Sequence, residues 1–187
     1  LGLINKGMKK IDFKKYIQLY SLEDRLFNIV GPQIKKRGHM TFDDFYKIAM
    51  WKSARQKPKY LQNKSSVESI SKDAFSFSDE SERMENLCSL KGVGIPTASA
   101  ILTIVYPDDY AIIDARCIEI LQELGCSIKK TITLSNWLKY LEIVRDIARE
   151  NNITAREVDK ALFAMHREWL EEQDYRNLYG VSYKIKT

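Results

Sequence analysis

The stretch Leu90-Lys91-Gly92-Val93-Gly94-Ile95-Pro96-Thr97-Ala98-Ser99-Ala100 constrains this chain more than any other. Two glycines flank one small apolar residue, and apolar residues at helical spacing lead away from them on both sides. Met84, Leu87 and Cys88 precede the glycines; Ala98, Ile101, Leu102 and Val105 follow them. Pro96 stands where a first-turn residue needs no backbone N–H. The pattern predicts helix, two-glycine hairpin, helix over about 81–106. Glycines allow positive φ and leave no side chain over the backbone, so the amides of such a hairpin can approach a phosphate.

With 187 residues and 44% apolar side chains, the chain suits one or two small folded domains. Its longest apolar run, from Ala98 to Tyr106, is too short to span a bilayer, so no membrane partner is expected. The first ten residues lack the apolar core and cleavage site of a signal peptide, so a cytoplasmic location is expected. Leu1 implies that Met8 is the start or that an N-terminal piece is missing. Charge is unevenly spread: residues 1–64 hold 15 Lys/Arg against 5 Asp/Glu, whereas residues 65–187 hold 15 against 20. The basic third suits a polyanion partner and equally suits a solvated lysine-rich surface.

Cys88, Cys117 and Cys126 have no paired spacing, which argues against a disulfide framework and a zinc site. His39 and His166 match no metal or triad spacing, and His166, next to Met165, is expected to pack or face solvent. Asp108 and Asp109 look like a metal pair, but a turn after Pro107 accounts for them. No metal site is expected.

Read in order, the chain is all-α. Phe13, Tyr16, Ile17 and Tyr20, then Leu26, Ile29, Val30 and Ile34, mark helical faces within 12–37, with Gly31-Pro32 able to break or kink them. Gly38 stops this region after Lys35-Lys36-Arg37. Thr41 and Asp44 resemble a capping box for a helix carrying Phe42, Phe45, Tyr46, Ala49 and Met50 on one stripe. Trp51 lies off that stripe and shares a helical face with Arg55, with Lys52 beside them. The trio suits base stacking and phosphate binding, or a second buried face. Pro58 is expected to end this helix, with 56–65 a polar connection. Helices at 66–74 and 78–90 follow, then the hairpin, a turn at Pro107-Asp108-Asp109, and a buried approach through Tyr110, Ala111, Ile112 and Ile113. A helix from Ala115 ends near Gly125. Trp137, Leu138, Tyr140, Leu141, Val144 and Ala148 line the next. Thr154 and Glu157 cap the last, whose stripe is Val158, Ala161, Leu162, Met165 and Trp169. The polar tail from Asp174 is expected to fray or to dock loosely.

These residues resemble the helix-hairpin-helix DNA glycosylase superfamily. Its members carry Leu-x-Gly-Val-Gly-x-x-x-Ala, matched by Leu90, Gly92, Val93, Gly94 and Ala98, then a helix, a short loop and a catalytic aspartate. Asp114, in Ile112-Ile113-Asp114-Ala115-Arg116, falls twenty positions after Gly94, where that aspartate belongs. The resemblance covers roughly residues 80–125. Trp51-Lys52-Ser53-Ala54-Arg55 is similar to a Trp-Lys-Ser/Thr-x-Arg stretch at a comparable place in uncharacterised helix-hairpin-helix proteins.

The resemblance implies two helical lobes with a cleft between them. Residues 39–113 would form the lobe carrying the hairpin, and 1–38 with 114–187 the other. Duplex DNA would be the partner of a monomer associated with the nucleoid, held through Lys91, Gly92, Val93, Gly94 and Thr97. A flipped damaged or mispaired base would face Asp114, with Trp51, Lys52, Arg55 and Arg116 as base-pocket or DNA contacts. Cleaving an N-glycosidic bond builds positive charge on the sugar, which a carboxylate stabilises. Asp is also a preferred N-cap, and Asp114 directly precedes a helix. A non-catalytic DNA-binding protein that uses Asp114 only as a cap is therefore the alternative.

The departures from the family are specific. Bifunctional members place a Schiff-base lysine two residues after the second hairpin glycine, where this chain has Pro96, so no β-lyase activity is expected. Nothing after Cys126 could supply the four-cysteine iron–sulfur cluster of some members. No cofactor is required, although such hairpins can hold a monovalent cation on backbone carbonyls.

Overall fold

The computed structural model describes residues 12–13 and 25–179, with side chains through Glu171. Every regular element among them is helical. A π turn, Leu26–Val30, leads directly into α1 (Gly31–Arg37). Next come α2 (Phe42–Ser53), the single turn α3 (Lys57–Tyr60) and α4 (Val67–Ser76). The chain continues through α5 (Glu80–Cys88), α6 (Ile95–Val105), α7 (Ala115–Glu123), α8 (Leu134–Asn151) and α9 (Ala155–Tyr179). Phe13 is buried, whereas Tyr16, Ile17 and Tyr20 lie outside the described residues.

Local chemistry sets most boundaries. The Asp44 amide donates to Thr41 Oγ1 at 3.2 Å, and the Thr41 amide donates to Asp44 Oδ2 at 2.9 Å, completing the capping box of α2. Thr154 and Glu157 make the same reciprocal pair, at 2.7 and 3.1 Å, at the start of α9. Gly38 and Gly125 stop α1 and α7 at φ +80° and +85°.

Four expectations fail for identifiable reasons. Gly31-Pro32 does not break the helix: the π turn widens just before Pro32, which then sits in the first turn of α1. Gly31 serves a close helix crossing instead, since a Cβ there would lie 2.0 Å from Ile104 O on α6. Pro58 does not end α2, which stops at Ser53 (φ −158°, ψ 88°); the proline opens α3. The segment 56–65 is therefore largely helical, with 3-10 turns at Ala54–Gln56 and Leu61–Asn63 around α3. Finally, of the two expectations for the tail, fraying at Asp174 fails, since α9 continues through Tyr179.

The core is centred on α6, in which every residue from Thr97 to Val105 is buried. The sequence marks only one apolar face there, but α1, α2 and α5 all pack against this helix. Its polar side chains are satisfied internally, with Thr103 Oγ1 donating to Ser99 O at 2.7 Å. Helix α9 lies against α7 and α8, and α5 touches α8, so one apolar cluster runs from Phe45 and Tyr60 to Trp137 and Tyr140. No helix among the described residues is long and apolar enough to cross a membrane.

Candidate functional site

Between α5 and α6 the chain turns over six residues, 89–94. Gly92 has φ +86°, and the Val93 amide returns to Leu90 O at 3.0 Å. Gly94 N-caps α6 in extended backbone, and the amides of Thr97 and Ala98 both donate to its carbonyl. Among the described residues no acceptor takes the amides of Gly92, Gly94 or Ile95. The turn is pinned from outside by Asn63. The Lys91 amide donates to Asn63 Oδ1 at 2.8 Å, while Asn63 Nδ2 donates to Lys91 O at 2.9 Å. A Cβ on Gly92 would lie 2.9 Å from Lys59 Cβ and 3.1 Å from the Tyr60 ring, so glycine is required by space as well as by φ.

The approach to Asp114 is fastened along its length. The Ile113 amide donates to Ser99 Oγ at 3.2 Å, and that hydroxyl donates to Pro96 O at 3.0 Å, tying the approach to the first turn of α6. The Ile112 peptide is held on both sides: its amide donates to Asp159 Oδ2 at 2.8 Å, and its carbonyl accepts from Tyr140 Oη at 3.0 Å. Asp114 then N-caps α7, with Oδ1 accepting from the Arg116 amide at 3.0 Å. Its other oxygen, Oδ2, lies 3.6 Å from Lys52 Nζ.

Asp114 borders a pocket of about 260 Å³ lined by Trp51, Lys52, Ile112, Arg116, Cys117, Arg156, Asp159 and Phe163 as well. Trp51 is 41% exposed and packs edge-on against Phe27, with ring centroids 5.9 Å apart. Arg116 lies over the Phe163 ring at 5.0 Å, and Arg156 over Phe27 at 4.2 Å. Asp159 is buried and ion-paired with Arg156. Burial pushes its carboxyl up to about 6, against the opposing pull of Arg156, the Ile112 amide and Lys52. Burial also raises the Cys117 thiol, reinforced by Asp159 and Asp114, so it stays protonated at neutral pH.

Four residues singled out by sequence, Trp51, Lys52, Asp114 and Arg116, thus meet at one pocket. Arg55 is exposed and does not line it, because the break at Ser53 removes the helical face it was expected to share with Trp51. Thr97 is only 5% exposed and its amide is spent on Gly94 O, so it does not reach the turn's surface. Val93 is buried, and its amide too is spent. Lys91 and Gly94 are exposed and Gly92 half-buried. Of the hairpin carbonyls, those of Leu90, Lys91 and Gly94 already accept hydrogen bonds. Among the described residues no group of three or more His, Cys, Asp or Glu is arranged around a metal position. His166 is buried and pairs with Glu119 at 3.0 Å.

Asn63, Ser99, Arg156 and Asp159 were missed by sequence reasoning. Only Asp159 carried a signal, as an acid beside the buried residue Val158 with an arginine three positions before it. No protein-family model matches the chain, and no solved structure matches it significantly. The family resemblance rests on the residues quoted above.

Proposed function

We propose that the protein is a DNA-binding protein of the base-excision type, a monofunctional DNA glycosylase that hydrolyses the N-glycosidic bond of a damaged or mispaired base. The observation carrying this reading is the setting of Asp114, a carboxylate at the edge of a base-sized pocket and tied through Ser99 to the helix that starts at the two-glycine turn. In this reading the turn and flanking helices act as a helix-hairpin-helix, and the open amides of Gly92, Gly94 and Ile95, with Lys91, hold a backbone phosphate. DNA lies in a cleft between lobes 39–113 and 1–38 plus 114–187. A base swung out of the duplex stacks on Trp51.

The chemistry follows from charge. As the C1′–N bond breaks, the base leaves with the bonding pair and positive charge grows on the sugar, which Asp114 Oδ2 stabilises; water adds at C1′ and the proton it loses ends on the released base. The Arg116 amide holds Oδ1, so the carboxylate keeps its orientation without reorganising. Lys52 and Arg116 attract the phosphates flanking the extruded nucleotide.

The same capping bond favours the second reading, a non-catalytic DNA-binding protein in which Asp114 only starts α7. Incubation with duplexes carrying uracil, hypoxanthine, 8-oxoguanine, alkylated purines or G·T mismatches, followed by alkali, separates them. Strand breaks on one substrate, lost in Asp114→Asn, support the glycosylase. Salt-dependent binding without base release across the set moves the second reading ahead, and no binding at low salt leaves only a helical interaction module.

A further inference from the structure

We infer that the helical segment 55–64, docked on the two-glycine turn, is a phosphate-binding strip that extends the grip of the turn along one DNA strand. The inference rests on the DNA reading above and adds contacts that the sequence had assigned to a polar connection.

Between Asp44 and Glu68 the chain carries Lys47, Lys52, Arg55, Lys57, Lys59 and Lys64 and no carboxylate. Lys47 pairs with Asp43, and Lys52 with Asp114. The other four are exposed, and none meets a carboxylate among the described residues. Scattered surface lysines would be unremarkable, but these are organised by the fold. Tyr60 and Asn63, three positions apart, are both buried. Arg55, Lys57, Lys59 and Lys64 are exposed along the same run of helical turns, so cationic side chains surround the two docked residues.

The docking is specific to the turn. Asn63 grips both sides of the Lys91 peptide, and Gly92 meets the stem of Lys59 so closely that no other residue would fit. Lys59 and Lys91 are therefore rooted beside the open amides of Gly92 and Gly94. Lys91 Nζ rests 3.2 Å from Gln62 Oε1, a neutral partner that a phosphate can replace. A DNA strand carries one charge per about 3.4 Å of axis, so a phosphate at the turn brings its neighbours toward these lysines. Fixing them on a helical segment clamped by Asn63 aligns the cations before DNA arrives.

The test is the salt dependence of binding of the full chain to an undamaged duplex, read by fluorescence anisotropy. Each phosphate contact contributes about 0.9 to the slope of log K against log salt. Lys57→Gln/Lys59→Gln/Lys64→Gln is expected to reduce that slope by about 2 to 3 and to weaken binding at 0.1 M salt on the order of a hundredfold. Lys36→Gln/Lys72→Gln/Lys129→Gln removes the same charge from α1, α4 and the loop before α8 and is expected to leave the slope within about half a contact of wild type. Unchanged slope in the first variant, or an equal drop in both, overturns the strip while the DNA reading stands. No duplex binding by the wild type at low salt overturns both.

Discussion

Two clusters in this molecule are built from the same materials and behave differently. At the start of α5, Glu80 accepts from Tyr110 Oη at 2.6 Å and from Arg145 Nη2 at 2.8 Å. Arg83 donates to Tyr110 Oη and Phe77 O, Arg145 Nε donates to Asp109 O at 2.8 Å, and both guanidiniums lie over the Tyr110 ring. Burial, then the bond to Glu80, pushes the Tyr110 hydroxyl up to about 12, which keeps it a donor. The second cluster, around Asp114, also combines carboxylates, arginines and aromatic rings. There one Asp114 oxygen is bonded to a backbone amide, and among the described residues the other has Lys52, 3.6 Å away, as its charged neighbour at the pocket that Asp114 lines. Both clusters border open volume, about 360 Å³ at Glu80 and about 260 Å³ at Asp114, so neither residue types nor a cavity marks a site; spare hydrogen-bonding capacity does.

The sharpest way to break this comparison is at the two carboxylates. Asp114→Asn is expected to lower base release by about a hundredfold to a thousandfold, as for loss of a group stabilising transition-state charge. Because Asn caps helices as well as Asp, the melting temperature should hold, so a large drop in it would mean that Asp114 is structural. Glu80→Ala should do the reverse, costing about 2 to 3 kcal/mol in urea unfolding, because it strips Arg145 and Tyr110 of an acceptor and Arg83 of its ion-pair partner. Base release per folded molecule should stay unchanged, and a parallel loss of activity would erase the distinction.

Next in size is a pH effect. The folded Asp159 carboxyl sits near 6, above its unfolded value, so the native state holds that proton more tightly than the unfolded chain. Its contribution to stability is full below pH 4 and is lost as pH rises to about 6, an effect of order 2 kcal/mol. Comparing urea midpoints across that window, the fall should appear in wild type and vanish in Asp159→Asn. Gly92→Ala, forced to positive φ against Lys59, should cost about 1 to 2 kcal/mol and weaken duplex binding. The smallest stability effect belongs to Trp51→Ala. At 41% exposure, its loss should change unfolding by less than about 1 kcal/mol, while affinity for a base-extruded substrate drops by about 1 to 3 kcal/mol. Equal affinity in that variant would remove Trp51 from the pocket's function.

Much of this molecule was legible residue by residue, and the limit of that legibility is physical. Capping boxes at Thr41 and Thr154, the stops at Gly38 and Gly125, and the helix–turn–helix around Gly92 and Gly94 are decided within about four residues, by hydrogen bonds and φ preferences local in the chain. Asp114 could be read because its signal is a distance along the chain from the glycines. The same local logic misplaced Arg55, because a helical wheel assumes a continuous helix and Ser53 ends it. It also misread Pro58, which can open a helical turn as readily as end one.

Partners far apart in sequence belonged to the tertiary structure alone. Asn63 bonding Lys91, Ser99 bonding Ile113, and Asp159 with Tyr140 gripping Ile112 each join segments 14 to 47 residues apart. Nothing in the identity of a single Asn, Ser or Asp specifies such a partner. The sequence by itself determined most of the helices, the ends marked by capping boxes and glycines, the two-glycine turn and the aspartate that follows it, because those depend on backbone chemistry acting over a turn or two. Only the tertiary structure decided which carboxylate has both oxygens spent on hydrogen bonds and which keeps spare capacity, because hydrogen-bond satisfaction is a property of surroundings assembled from the whole chain.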